Sequence, residues 1–392
     1  MENCLERMCF AITCELYEKK GNKENKQMKW EENVRKVVPY VPGEQPQKKD
    51  IIKLNTNECP YPPSPMVQKA MQEMDYQDLR LYPEFPEKTP LTAHLAEYYH
   101  VKEEQIFIGV GSDDVLSMAF LTFFNSDRPV FFPDITYSFY DVWADIYRIP
   151  YEVKPLDADF CIRKEDYMGE CGGIIFPNPN APTGVLMGVA DIEDIVKAHS
   201  DVVVIIDEAY IDFGGTTCLP LLESYDNLLV VRTFSKSRAM AGSRIGYAIG
   251  NERLIRYLND AKYSVNSYTM NRPALRLGAE SVKDDAYFKE ICGKIVRTRE
   301  RSEKELAALG FTFPKSYGNF IFASHKKVGA REIFEKLKER DIYVRHWNKA
   351  RIDEYLRITI GTDEEMDALF AALRSIVQAP AKQINRNQEQ NR

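Results

Sequence analysis

Between about Gln105 and Gly250 the chain alternates short, almost wholly apolar runs with segments of helical period, and this alternation limits the fold more than any other feature. The runs are Ile106–Val110, Pro129–Phe132, Tyr151–Pro155, Gly173–Phe176, Val202–Ile206, Leu228–Arg232 and Gly246–Ile249, with helical patterns at Asp113–Phe124, Ser138–Tyr147 and Gly188–His199 in several of the gaps. A strand that is apolar on both faces must be covered on both, and helices between strands supply the crossovers that parallel pairing needs. The expectation is an α/β fold: a three-layer, mainly parallel sheet with helices on either side.

After Asn251 the pattern changes. Long helical stretches at Arg272–Val282 and Asp284–Leu309 precede Asn319–Ala323, Arg331–Arg340, Ile342–Arg345, Tyr355–Ile360 and Asp363–Val377, which predict a smaller α+β domain. Val34–Leu54, rich in proline and charge, is expected to wrap back towards it. The organisation therefore reads as a large domain over residues 55–255 and a small domain built from 29–54 and 256–378. Residues 1–28, with Cys4, Cys9 and Cys14 ahead of the polar run Lys19–Lys29, read as a disordered appendage, and Met28 offers an alternative start. Residues 379–392 read as a disordered polar tail.

Composition narrows the function classes. The 392 residues are 44% hydrophobic, enough for a large core, and 52 Lys and Arg against 59 Asp and Glu leave a net charge of −7. That balance lacks the basic footprint of a nucleic-acid binder. No apolar run approaches the ~18 residues of a membrane span. Eight scattered cysteines form neither a disulfide framework nor zinc-type spacing, so reduced thiols and no metal are expected. The short run Met8–Cys14 lacks a cleavage-site pattern, and the expected location is the cytoplasm.

The most informative stretch is Arg232–Tyr247, where Lys236 follows an apolar strand with Thr233 and Ser235 beside it and Arg244 eight residues on. A lysine at a strand end near low-dielectric walls can lose its proton and condense with an aldehyde, while the hydroxyls and Arg244 suit a phosphate dianion. Taken alone, a solvated lysine on a loop explains Lys236 equally well. Upstream, Val202–Ile206 delivers Asp207 to a strand's carboxyl end, where open α/β sheets place their ligands. An acid there can hold a protonated ring nitrogen, and Tyr210 can reach a neighbouring phenolate oxygen. A strand-end Asp-Glu pair also binds Mg²⁺ in nucleotide hydrolases, but the chain has no GxxxxGK[ST] loop. Phe176–Gly184 is a Pro- and Asn-rich turn, and Val110–Asp114 is a strand, a Gly turn and a helix start whose N–H groups could take a phosphate or simply be capped. Tyr137 could stack on a planar ring or belong to the core.

These pieces occur together and in order. With Pro39-Tyr40, Pro42-Gly43, Leu54–Glu58, Leu81–Pro83, Gly111–Asp113, Asp207–Tyr210, Ser235-Lys236, Ala241–Arg244 and Leu356–Gly361, the chain resembles the fold-type-I pyridoxal-phosphate aminotransferases from about Trp30 to Val377. Within them it is most similar to the branch that exchanges an amino group between L-histidinol phosphate and 2-oxoglutarate in histidine biosynthesis. The resemblance implies pyridoxal 5'-phosphate as cofactor and a homodimer. It makes Lys236 the lysine that links to the cofactor, Asp207 the partner of its ring nitrogen, Tyr210 the partner of its phenolic oxygen and Tyr137 the stacking ring. Ser112, Asp113, Thr233, Ser235 and Arg244 would surround the cofactor phosphate, with Tyr82 reaching the phosphate of the neighbouring subunit. Arg345 and Arg357 would receive the substrate's phosphate, with Tyr40 and Asn57 also on the substrate side.

One position departs from the family. Many relatives carry asparagine before the proline of the turn, where this chain has Ala181, so the donor to the phenolic oxygen is expected to be Asn180, with Asn178 tying the loop to backbone groups. The same fold also serves threonine-phosphate decarboxylation and aromatic-amino-acid transamination, since Arg357 could bind a carboxylate.

Overall fold

The computed structural model describes residues 29–378 apart from Pro42 and Lys49, so the expectations for 1–28 and 379–392 lie outside the described residues. The described residues from Lys29 to Val38 belong to a unit apart from the rest and hold a single 3-10 turn, Lys29–Asn33. Every other element belongs to the unit that begins at Pro39.

That unit opens with the short strand β1 (Ile52–Lys53) and the helices α1 (Pro65–Gln72) and α2 (Pro90–Tyr99). Then follow β2 (Ile106–Gly109), α3 (Gly111–Phe123), β3 (Val130–Pro133), α4 (Tyr140–Tyr147), β4 (Tyr151–Lys154) and β5 (Gly173–Pro177). Helix α5 (Val189–Ala198) leads to β6 (Val204–Asp207), β7 (Leu228–Thr233) and β8 (Gly246–Gly250). These seven strands form one sheet in the order β2-β8-β7-β6-β5-β3-β4, parallel throughout except that β8 runs against both neighbours. The mainly parallel sheet is as expected. The apolar run at Val202 enters its ladder two residues late, at Val204, and the strand extends to Asp207.

Why the strands are apolar at every position is visible in the two cores. Ile205, Leu229 and Val231 point to one face, where they pack with Leu116 and Phe120 of α3. Their neighbours Val204, Ile206, Leu228 and Val230 point to the other, against Ile192, Ile195 and Val196 of α5. Each of these seven strand residues is fully buried, and the apolar surface so covered stabilises the sheet by about 25 cal/mol per Å².

Helices α6 (Glu252–Val265), α7 (Arg272–Lys283) and α8 (Asp285–Ala308) lead away from the sheet. A second, antiparallel sheet has the order β12-β13-β10-β9, built from β9 (Phe311–Thr312), β10 (Phe320–His325), β12 (Arg345–His346) and β13 (Leu356–Thr359). Helices α9 (Ala330–Lys338) and α10 (Asp363–Val377) pack on it through Ile333, Leu337, Leu369 and Leu373. The single strand expected at Ile342–Arg345 is two: β11 (Ile342–Tyr343) pairs in parallel with β1, and after Val344 the chain joins β13 as β12. An apolar run reports burial but not a change of partner.

Two glycines show how closely the sheet is joined to α3. Gly111 has φ +82°, a left-handed conformation that favours glycine, and a Cβ on Gly246 would stand 2.2 Å from the Gly111 carbonyl carbon and 2.3 Å from Ser112 N. Gly246→Ala should therefore lower stability by roughly 2–3 kcal/mol, seen as a lower urea midpoint, because backbone and not a flexible side chain must move. An unchanged midpoint would contradict this packing.

Candidate active site

The sheet brings the expected residues to one edge. Pro177 of β5, Asp207 of β6 and Val231 of β7 are in register, as are Thr233 of β7, Gly246 of β8 and Gly109 of β2. Because β8 is antiparallel, its first residue lies beside its neighbours' last ones. The carboxyl ends of β2, β5, β6 and β7 and the start of β8 thus line one crevice, the usual ligand position of an open α/β sheet.

Asp207 sits at its floor, 4% exposed. Its carboxylate accepts from Ala209 N at 3.1 Å and from the Tyr140 hydroxyl at 3.2 Å, and among the described residues no cation pairs with it. Burial pushes the carboxyl up to about 7, against the lowering effect of the bonds from Ala209 and Tyr140. A buried acid with two donors and no counter-ion suits a ligand that brings its own positive charge or proton.

Lys236 follows β7, and its Nζ donates to Thr56 O at 3.2 Å and lies 5.8 Å from the centre of the Tyr210 ring. Tyr210 Oη accepts from Asn57 Nδ2 at 2.9 Å. Asn57 has φ +57° and is fixed by Thr359, whose hydroxyl donates to Asn57 Oδ1 at 3.0 Å and accepts from Asn57 N at 3.0 Å. Asn57, expected on the substrate side, thus also supports Tyr210.

At the other end of the crevice, Arg244 reaches Asp113 Oδ2 at 3.2 Å and Ser235 Oγ at 3.5 Å, and a Cβ on Gly111 would stand 2.5 Å from its Nη2. Tyr137 donates to Asp113 Oδ1 at 2.7 Å. Thr233 Oγ1 accepts from Ser235 N at 3.1 Å, which folds that turn. Ser112 lies in the first turn of α3, so its N–H is one of the helix's unpaired donors. Ser112, Asp113, Tyr137, Thr233, Ser235 and Arg244 are therefore brought together.

Arg345 and Arg357 face each other across β12 and β13. Arg357 is half-buried, donates to Asn55 O at 2.8 Å, and has a buried Nε without a partner; Arg345 donates to Val41 O at 3.4 Å. Burial lowers both guanidinium pKa values, and the charge of Arg345 lowers that of Arg357 further. Among the described residues no carboxylate pairs with Arg357. Tyr40 lies close by, stacked on Phe139 at 4.2 Å.

Tyr82 and Asn180 stand apart from these groups. Tyr82 does not join the cluster within the chain: it is 77% exposed and lies against Tyr268 at 4.6 Å. Asn180 is fully buried, and its amide hydrogens go to Ile135 O at 2.9 Å and Thr183 Oγ1 at 3.1 Å. Donation to a ligand requires one of these bonds to be given up, and Thr183 is the softer partner because its hydroxyl also accepts from Val185 N at 3.4 Å. Asn178 exchanges two hydrogen bonds with the Met187 backbone, at 3.1 and 2.7 Å, and ties the loop.

Sequence reasoning missed Tyr140 and Thr56. Tyr140 is the first residue of α4, three beyond Tyr137, and reads from the sequence as one more core aromatic. Thr56 acts through its carbonyl, which no side-chain pattern signals.

Comparison with known proteins assigns the class. The profile of the family described as aminotransferase class I and II matches residues 49–373, and the chain belongs to that family. It is 50% identical to a histidinol-phosphate aminotransferase of Lactococcus lactis subsp. cremoris over 355 residues, covering 91% of this chain and 99% of that one. The enzyme of the same name from Clostridium beijerinckii is 49% identical over the same shares. Among solved structures, histidinol-phosphate aminotransferase from Sinorhizobium meliloti in complex with pyridoxal-5'-phosphate superposes with a TM-score of 0.76 at 25% identity, covering 83% of this chain and 90% of that one. The residues present fit this cofactor: an uncompensated buried acid suits a protonated ring nitrogen, and the glycine-lined turn under Arg244 suits a phosphate.

The raised Asp207 pKa has a defined sign. The unfolded chain loses this proton near pH 3.8 and the folded chain only near 7, so the stability it contributes is full below about pH 4 and falls away as pH rises through 7. At about 1.4 kcal/mol per pKa unit the loss is on the order of 4 kcal/mol. Protein freed of cofactor should show it in urea unfolding between pH 4 and 8, and Asp207→Asn should not. Parallel pH profiles for the two proteins would refute the assignment.

Proposed function

We propose that this chain is a pyridoxal-phosphate-dependent transaminase that moves the amino group of L-histidinol phosphate to 2-oxoglutarate. Beside the two relatives, the observation that carries the reading is the half-buried Arg357, facing Arg345 with a buried, unpartnered Nε and, among the described residues, no carboxylate. A pair of cations placed this way suits a doubly charged phosphate better than a neutral side chain.

In this reading Lys236 holds the cofactor covalently and Asp207 keeps the proton on its ring nitrogen. Tyr210, backed by Asn57, serves the phenolic oxygen, with Asn180 as a second donor, while Tyr137 stacks on the ring. Ser112, Asp113, Thr233, Ser235 and Arg244 hold its phosphate. The cofactor supplies an aldehyde for the amino group and an electron sink for the substrate's Cα. Once displaced, the Lys236 amine takes the Cα proton and returns it, a general acid–base role for which its contact with Thr56 O is a parking position. Arg345 and Arg357, with Tyr40, fix the phosphate end of the substrate.

The chain works as a homodimer in the cytoplasm, and the unit that begins at Pro39 is organised as a large domain over 55–255 and a small one from 39–54 and 256–378. What supports the dimer is the exposed group of Leu79, Leu81, Tyr82, Phe85 and Tyr268, an apolar surface that a second copy would cover.

Borohydride reduction of the yellow protein should leave a pyridoxyl adduct on Lys236, and an adduct on another lysine would remove Lys236 from the role. Arg357→Gln should raise KM for L-histidinol phosphate at least tenfold, as expected for a lost charge-assisted pair, with a smaller effect on L-histidinol. Equal losses, or carbon dioxide release from threonine phosphate, would argue for another substrate.

The dimer is tested by mixing. If Tyr82 completes the neighbouring site, inactive Tyr82→Ala and Lys236→Ala proteins should regain about one active site in four after subunit exchange. No recovery would mean that Tyr82 serves no partner.

A further inference from the structure

We propose that Trp347 sets the selectivity of the anion pocket, holding Arg345 and Arg357 together without neutralising them; the inference rests on the assignment of those arginines to a phosphorylated substrate. Arg345 and Arg357 are directly opposed in an antiparallel pair. Like charges at such positions repel, and because both residues are half-buried water screens them only in part. Something must offset this in the free protein. Among the described residues Arg357 has no carboxylate; its contacts are Asn55 O and the faces of Phe320 and Trp347.

Trp347 is the contact the two arginines share. The Arg345 guanidinium lies 5.5 Å and that of Arg357 5.4 Å from its ring centre, both within the range of cation–π attraction. The ring itself is anchored, since Trp347 packs on the apolar cluster that contains Ile135, Phe160 and Phe322. An aromatic face attracts a cation through its quadrupole and carries no net charge. A carboxylate in its place would hold the arginines equally close but would compete with the ligand and lower the charge available to it. Trp347 itself removes no charge from either arginine, and Arg357, which has no carboxylate among the described residues, keeps its own for a phosphate dianion.

The test separates the π face from simple packing. Trp347→Leu keeps an apolar side chain on the cluster and removes the quadrupole, and Trp347→Phe keeps both in smaller form. In the cofactor-loaded enzyme Trp347→Leu should raise KM for L-histidinol phosphate about 3- to 30-fold, with a smaller change for L-histidinol, while Trp347→Phe stays within about threefold of wild type. Inorganic phosphate, used as a competitive inhibitor, should weaken in parallel with that KM. Should leucine unsettle the cluster, Trp347→Met repeats the test with a more adaptable side chain. A wild-type KM in the leucine variant, or equal losses in leucine and phenylalanine, would overturn the role of Trp347. If wild type itself does not prefer the phosphorylated substrate, it is the substrate assignment that fails.

Discussion

The buried pair of Glu208 and Arg232 holds the crevice together. Glu208 is the residue after β6 and Arg232 lies near the end of β7, joined by bonds of 3.0 and 2.7 Å. Burying two charges costs several kcal/mol per ion unless every remaining polar group is satisfied. Here Glu208 also accepts from Thr217 Oγ1 and Cys218 N, while Arg232 reaches Tyr99 and Asp212. Asp212 in turn accepts from the Ser237 hydroxyl at 2.6 Å. The network therefore clamps the residue next to Asp207 and the residue next to Lys236, and it sets both functional side chains from behind.

The front of the crevice is organised by the segment Asn55–Asn57. Its successive residues meet Arg357 through Asn55 O, Lys236 through Thr56 O and Tyr210 through the Asn57 amide. Among the described residues Asp207 has no cation partner and Arg357 no carboxylate. Charges left without a counter-charge mark functional sites because a purely structural site would have paired them.

The sheet was legible in the sequence because its strands are covered on both faces, so burial writes itself into every position from Val204 to Ile206 and from Leu228 to Val231. Asp207, Lys236 and the glycine turn were legible because strand ends and glycines constrain which side chains reach the crevice. Contacts made through backbone carbonyls, such as Thr56 O, leave no trace in residue type. Nor does a change of partner within one apolar run, which is why β11 and β12 read as one strand. The amide of Asn180 shows a third limit: the sequence indicates that an asparagine faces a turn, but its rotamer and partners depend on Ile135 and Thr183, which the pattern does not relate to it.

The contact between Gly246 and the Gly111–Ser112 backbone has a consequence for how the protein is made. The turn that would grip a phosphate is encoded early in the chain, yet the strand that forms its wall, and Arg244 above it, come more than a hundred residues later. A nascent chain that has already folded β2 and α3 has no such cup until β8 emerges and slides between β2 and β7. Capture of an anionic ligand then coincides with completion of this sheet, and its binding energy is added to the pairing of β8 with β2.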